Sequence, residues 1–259
     1  MGVRYVAPSG GAVVVGASSG IGAEVARELA RRGYRVALIA RRVEDLEILA
    51  AAITSAQGGD IVRVYPFDVR DYLAAVPLFE HITADMEEAG APLRLLVYSA
   101  GVMPPPGPGG WSFGDQRAMI EVNLLGAIRW LDLAAAYFAP RKTGAIVGIS
   151  SVAGDRGRKG NSAYMASKAG MSVYLESLRY RLASARVRVV TIKPGFVDTP
   201  MIADAETPRA LTAAPGAVAR RIADAATRGP EVVYTPWYWG VILRLVKLLP
   251  AGVMKRLAG

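Results

Sequence analysis

Up to residue 235 the chain alternates short apolar runs with longer amphipathic stretches, joined by glycine-rich turns. That alternation admits few folds. A short apolar run without internal polar alternation suits a strand buried on both faces, and each amphipathic stretch between runs suits a helix that covers it. Only a parallel sheet with helices on both sides satisfies both demands, so the expected class is a doubly wound α/β sheet. Strands are expected near 12–16, 34–40, 61–66, 94–98, 144–150, 186–193 and 231–235, and the longest helices near 111–138 and 161–184. No stretch repeats, and the only low-complexity segment, Pro104-Pro105-Pro106-Gly107-Pro108-Gly109-Gly110, reads as a rigid loop. One catalytic domain over 1–235, with 236–259 as a tail of the same domain, is the economical division.

Composition removes several chemistries. Hydrophobic residues make up 52% of the 259 and charged residues 20%, which suits a globular chain. There is no cysteine and one histidine, His81. Disulfide scaffolds, thiol nucleophiles, cysteine-histidine zinc sites and any Ser-His-Asp triad without His81 are thereby excluded, and no metal site is expected. Chemistry must rest on Tyr, Ser, Lys, Asn or carboxylates. Thirty-one Lys and Arg against 22 acidic residues give +9, which suits phosphorylated ligands, an anionic membrane surface or nucleic acid, or else cations spread over solvated faces. The start, MGVRYVAPSGG, has no apolar run long enough for a signal peptide, so a cytoplasmic protein is expected.

The apolar segment Ala12 to Val15 runs into Gly16-Ala17-Ser18-Ser19-Gly20-Ile21-Gly22 and then into a helix beginning near Ala23. Glycines let backbone approach a pyrophosphate, and the free N–H groups at the helix start favour its charge. The order strand, Gly-x-x-x-Gly-x-Gly, helix therefore reads as a dinucleotide loop. At the end of the second strand an acidic side chain would accept from a ribose 2′-hydroxyl, but Ala40 stands there, followed by Arg41 and Arg42. Guanidinium groups pair with a 2′-phosphate and offer no acceptor, so NADP(H) is favoured over NAD, with Arg41 expected to read the phosphate. The alternative is that the two arginines decorate a helix start, where their charge opposes the helix dipole unless an anion is bound.

Tyr164 and Lys168 lie four apart at the start of a helical pattern and so share a face. An isolated tyrosine titrates near 10, and a neighbouring cation such as Lys168 would bring it toward useful acid-base chemistry. Ser151, at the end of the apolar run Ala145 to Ser150, could hold a carbonyl oxygen against Tyr164.

With these residues in place, the chain resembles the short-chain dehydrogenase/reductase family over roughly 10–235. The matches are Gly16 to Gly22, Asp68-Val69, Ala100-Gly101, Asn123 within Val122-Asn123-Leu124, Ser151, Tyr164, Lys168, and Pro194-Gly195 followed by Thr199. The resemblance implies a seven-stranded sheet in order 3-2-1-4-5-6-7, Asp68 and Val69 near the adenine, and Val197 and Thr199 near the nicotinamide carboxamide. It also implies that Asn123 holds a water linking Lys168 to solvent, that Lys168 touches the nicotinamide ribose, and that the protein forms a homodimer or homotetramer. The family's usual Asn-Asn-Ala-Gly reads Tyr98-Ser99-Ala100-Gly101 here, so the asparagine side-chain contacts are replaced. Hydride transfer between nicotinamide and a carbonyl is the implied reaction, with Tyr164 as proton donor and Ser151 beside it.

Between Ser151 and Tyr164 runs the basic segment Ala153-Gly154-Asp155-Arg156-Gly157-Arg158-Lys159-Gly160-Asn161, anchored at both ends by catalytic candidates. Arg156, Arg158 and Lys159 are expected to meet a substrate phosphate unless the loop is simply solvated. The tail Trp237 to Pro250 is too short and too charged to span a bilayer, with Arg244 and Lys247 on one narrow side of an otherwise apolar helix. It suits a membrane interface at the inner face, the roof of a substrate channel, or packing on the domain or a partner subunit. The loop, Asn161 and the tail resemble the reductases that epimerise polyprenyl-phosphate-linked ribose, implying a lipid-linked 2-keto pentose. The competing substrates are an apolar ketone, acyl or retinoid-like compound. A noncatalytic NADP-sensing module is the reading from another class. No nucleic-acid partner is expected.

Overall fold

The computed structural model describes residues 10–203 and 207–257; the first nine residues of the amino-terminal segment read above, and the last two of the tail, lie outside the described residues. The strands are β1 (Gly11–Val15), β2 (Arg35–Ala40), β3 (Val62–Pro66), β4 (Leu93–Tyr98), β5 (Ala145–Ile149), β6 (Arg188–Pro194), a short pair β7 (Phe196–Val197) and β8 (Thr212–Ala213), and β9 (Val232–Thr235). The helices are α1 (Gly20–Arg31), α2 (Val43–Gln57), α3 (Ala75–Glu88), α4 (Phe113–Ile120), α5 (Gly126–Arg141), α6 (Ser162–Arg181), α7 (Pro215–Thr227), α8 (Tyr238–Leu248) and α9 (Ala251–Leu257). Seven strands form one parallel sheet in the order β3-β2-β1-β4-β5-β6-β9. Counting only its own strands, that order is 3-2-1-4-5-6-7.

β1 explains the centre of the sheet. All five residues, Gly-Ala-Val-Val-Val, are buried, and the strand pairs in parallel with β2 on one side and β4 on the other. Its side chains alternate between two cores. Ala12 and Val14 join the apolar faces of α1, α2 and α7, while Val13 and Val15 join those of α3, α5 and α6. Each fully buried valine contributes about 1.5–3 kcal/mol, so a polar residue anywhere on β1 would cost heavily on one face or the other. In the second core Trp130 is fully buried between Phe67 and Phe79, edge to face at 5.7 and 6.2 Å.

Chain direction reverses its winding at β1, where β2 and β3 lie to one side and β4 onward to the other. That reversal opens a crevice at the carboxyl ends of the strands. Gly16, Arg41 and Ser99 follow directly on β1, β2 and β4, and Ser151 comes two residues after β5, so all emerge at this edge.

Three expectations about elements are corrected. The helix expected over 111–138 is α4, a π-helical turn at Glu121–Leu125 and α5, running on to Arg141. By length and hydropathy this 29-residue run could cross a membrane, yet 56% of its most apolar window is buried inside the molecule, as befits a core helix. The helix expected to reach 184 ends at Arg181 and passes into a 3-10 turn, Ala183–Ala185. The tail folds as two helices, α8 and α9, because Pro250 separates them.

Candidate active site

The crevice begins with Gly16, whose φ of +88° is a left-handed conformation that glycine adopts without strain. A Cβ there would strike the backbone nitrogen of Ala100, and one at Gly22 would strike the Gly16 carbonyl oxygen. The turn is therefore packed backbone on backbone, with α1 starting at Gly20. Ser19, the residue capping α1, makes no side-chain bond to the helix. Its hydroxyl instead accepts from Arg42 Nη2 at 2.8 Å, and Ser18 accepts from the same nitrogen at 2.9 Å. Arg42 Nε pairs with Asp45 at 2.9 Å. Arg41 turns elsewhere, 3.8 Å from the Asp68 carboxylate, which Arg70 grips at 2.6 Å. The hydrogen bond from Arg70 chiefly holds the Asp68 carboxyl below its ordinary range, and Arg41 adds to the effect.

Across the crevice, Ser151 leaves β5 and caps a 3-10 turn, Val152–Gly154, by accepting from Ala153 N–H at 3.1 Å. Tyr164 and Lys168 rise from the first turns of α6, whose capping residue Asn161 accepts from the Tyr164 backbone N–H at 3.0 Å. Lys168 is buried, and its Nζ donates to the Ile149 carbonyl at 2.9 Å while standing 5.8 Å from the Tyr164 ring centre. Burial pushes the Lys168 ammonium down to about 8. Burial likewise pushes the Tyr164 phenol up, and its hydrogen bond with Ser151 opposes that rise.

Asn123 lies in the π turn, fully buried. Its Oδ1 accepts from Val102 N–H at 2.7 Å, and its Nδ2 donates to the Val102 carbonyl at 3.0 Å and to Ser167 Oγ at 3.2 Å. Tyr98, standing where the family has asparagine, donates its hydroxyl to the Val122 carbonyl at 2.6 Å inside the same π turn. Its departure from the family pattern marked the position but not the partner.

One cavity of about 670 Å³ unites these parts. Of the catalytic and cofactor residues named from sequence, all but Gly22 and Asn123 line it, including Ile21, Val69, Gly101, Pro194, Gly195, Val197 and Thr199. At its far end the walls are apolar: Met103, Met165, Phe196, Met201, Ile202 and Trp239. Trp239 belongs to the tail that sequence reading offered as a substrate-channel roof; the other five were not singled out, because they come from three further segments. Trp239, from α8, packs so closely on Gly195 that a Cβ there would overlap the indole nitrogen.

The loop after Ser151 requires a correction. Arg156 does not point toward a substrate; its guanidinium donates to the carbonyls of Val246 (2.8 Å), Lys247 (2.6 Å) and Leu249 (2.6 Å), capping the carboxyl end of α8. Asp155 is buried, accepting from Lys193 and, at 2.6 Å, from the Tyr234 hydroxyl, with Lys247 Nζ at 3.3 Å. Burial alone would raise its carboxyl, but the bonds from Lys193 and Tyr234 and the charges nearby bring it below the ordinary value. Arg158 and Lys159 do line the cavity.

A family model described as short chain dehydrogenase matches residues 11–210. An uncharacterised oxidoreductase of Myxococcus xanthus is 37% identical over 239 residues, covering 92% of each chain. Another, from Mycobacterium tuberculosis, is 34% identical over 249 residues, or 95% of this chain and 96% of its own. Among solved structures, a point variant of actinorhodin polyketide ketoreductase with NADPH superposes with a TM-score of 0.76 at 27% identity, covering 90% of this chain and 97% of the other. A short-chain dehydrogenase from Sphingobium yanoikuyae in complex with NADPH gives 0.78 at 25% identity, covering 93% and 97%. With the glycine turn, Ser151, Tyr164 and Lys168 gathered on one cavity of a sheet wound in this order, the chain belongs to the short chain dehydrogenase family of oxidoreductases.

Proposed function

We propose that this protein is an NADP(H)-dependent oxidoreductase that interconverts a carbonyl and a secondary alcohol. One observation carries the reading: a single cavity joins the glycine turn and the Arg42–Ser18–Ser19 cluster to Ser151, Tyr164 and Lys168. The dinucleotide fits these residues. The cavity is lined by Gly16, Ser18, Ser19 and Gly20 at the start of α1, which suits a pyrophosphate, and Arg42 with the two hydroxyls suits a 2′-phosphate. Asp68 and Val69 border the adenine end; Ala100, Gly101, Pro194, Gly195, Val197 and Thr199 border the nicotinamide end. Relatives solved with NADPH support the same choice.

Bound there, the nicotinamide supplies or accepts the hydride. Tyr164, its phenol held protonated at neutral pH by burial, gives its proton to the carbonyl oxygen as charge develops there. Ser151 donates a second hydrogen bond to that oxygen, so the pair stabilises the forming alkoxide. Lys168, with Asn123 nearby behind Gly101, supplies positive charge and a route for proton replacement. The test is turnover of a carbonyl panel with NADPH and NADH, for the parent and for Tyr164→Phe. Loss of turnover with NADPH affinity kept within a few-fold supports the assignment; equal rates refute it. The same turnover separates an enzyme from a noncatalytic NADP-sensing module.

The methionine-rich far end favours a substrate with an apolar body, with a lipid-phosphate-linked 2-keto pentose and an apolar ketone, acyl or retinoid-like compound as the two candidate forms. A second reading concerns where the enzyme works. Trp237, Val241, Leu245 and Leu248 form an exposed stripe along α8, and residues 232–259 carry four cations and no acid. That combination suits peripheral contact with an anionic inner membrane face, in an otherwise cytoplasmic protein. Exposed Phe113, Leu125, Val173 and Tyr180 on α4, the π turn and α6 suit the contact of a homodimer or homotetramer. Residues 1–235 are read as the catalytic unit and 236–259 as its tail.

A further inference from the structure

Behind the active-site loop lies a second groove, of about 460 Å³, between that loop, the start of α6 and α9. Ala153, Arg158, Lys159 and Met165 line both this groove and the catalytic cavity, so the two share a wall. Arg158 and Lys159 on the loop and Lys255 on α9 bring three cations to it, and no carboxylate lines it. None of the three pairs with an acid among the described residues, whereas Arg156, which also lines the groove, is bonded to three carbonyls. The groove is built rather than incidental. Asp155 and Arg156 tie the loop to β6, β9 and α8, and the Arg158 backbone N–H donates to Met165 Sδ at 3.3 Å.

We infer that this groove is an anion subsite of the substrate, taking a phosphate ester whose carbonyl-bearing end lies in the adjoining catalytic cavity at Ser151 and Tyr164. Unpaired cations converging on a concave surface bear a self-repulsion that an anion relieves, and a phosphate offers acceptors to all three. Met165 lines both spaces, and the catalytic cavity has further apolar wall at Met103 and Met201. The substrate class is therefore amphiphilic: an apolar or neutral carbonyl portion joined to a phosphate. A lipid phosphate and the phosphate of a soluble thioester arm share that chemistry.

This inference deepens the carbonyl-reductase reading and rests on it for the position of the reacting end, but its test needs no turnover. Calorimetric titration of the NADPH-saturated protein at low salt would use octyl phosphate, octanol and pantetheine 4′-phosphate as probes. Octyl phosphate should bind at least tenfold more tightly than octanol, with the advantage shrinking as salt is raised. Lys255→Glu, which alters a residue touching only the groove, should weaken octyl phosphate about tenfold and octanol not at all, while Lys255→Arg should bind like the parent. Tighter binding of octyl phosphate than of pantetheine 4′-phosphate assigns the anion to a lipid; the reverse assigns it to a thioester arm. Equal affinity for octyl phosphate and octanol, or Lys255→Glu indistinguishable from the parent, overturns the subsite. Failure of NADPH itself to bind, with octyl phosphate still bound, overturns the cofactor reading and leaves the subsite standing.

Discussion

Replacing Lys168 by methionine should stabilise the fold while removing the activity. In the folded protein the lysine is buried and its ammonium titrates near 8, against 10.5 for the free side chain. A depression of that size corresponds to about 3 kcal/mol of disfavoured charge at neutral pH, since each unit is about 1.4 kcal/mol. The methionine keeps the stem and drops the charge, but leaves the Ile149 carbonyl without its donor at 2.9 Å, a loss of about 1 kcal/mol. The balance is a gain of about 2 kcal/mol, or roughly 4–8 °C in Tm for a chain of this size. Its pH dependence has a definite sign. Between about 8 and 10.5 the unfolded lysine binds more proton than the folded one, so the parent gains stability as pH rises. The advantage of the variant is therefore full below pH 8 and fades toward pH 10.5. Urea unfolding of both proteins without cofactor at pH 7 and pH 10 measures it. A variant less stable than the parent at pH 7, or an advantage that does not shrink at pH 10, would refute the account of Lys168 as a charge held at a structural cost.

Other substitutions separate the remaining roles. Arg42→Ala should lower the kcat/KM preference for NADPH over NADH by about tenfold or more, because it removes the guanidinium bonded to Ser18 and Ser19. Arg41→Ala should change that preference less, since Arg41 faces Asp68; the same kinetics on both cofactors would show the reverse order if the assignment is wrong. Tyr98→Phe removes the hydroxyl's bond to the Val122 carbonyl inside the π turn and should cost about 0.5–1.5 kcal/mol in chemical denaturation. Arg156→Ala frees the last carbonyls of α8, so trypsin should cut at Lys247 and Lys255 faster than in the parent, with cleavage followed by mass spectrometry.

The parts legible in the sequence are those whose partners are local or are dictated by the backbone. β1 announces itself because five small or branched apolar residues can be buried on both faces, and the glycine turn because Gly16 and Gly22 leave no room for side chains. The sequence expectation puts Arg41 on the 2′-phosphate, but in the structure it is Arg42 that meets Ser18 and Ser19. Which of them turns to the serines depends on α2 starting at Val43, which makes Arg42 the residue at the helix entrance. Arg156 was read as a substrate ligand because its charge lies between catalytic candidates, but its acceptors are about 90 residues away on α8, beyond the reach of spacing rules. The π turn hid for a different reason: one extra residue per turn does not disturb an apolar pattern enough to end it. The second groove depends on α9 returning to the loop, and nothing in the tail's own sequence announces that contact.

The ties from Asp155 and Arg156 to β6, β9 and α8 make the loop and the tail one inheritable unit. A chimera that imports a relative's residues 238–249 without its 151–157 would present shifted carbonyls to a guanidinium and a different neighbour at position 247 to a buried carboxylate. A single crossover just before Ser151, which carries loop and tail together, should then be tolerated, and exchange of either segment alone rejected. For an engineer seeking new specificity, the tail is not an appendage to be trimmed but half of a two-piece cassette, to be transplanted whole.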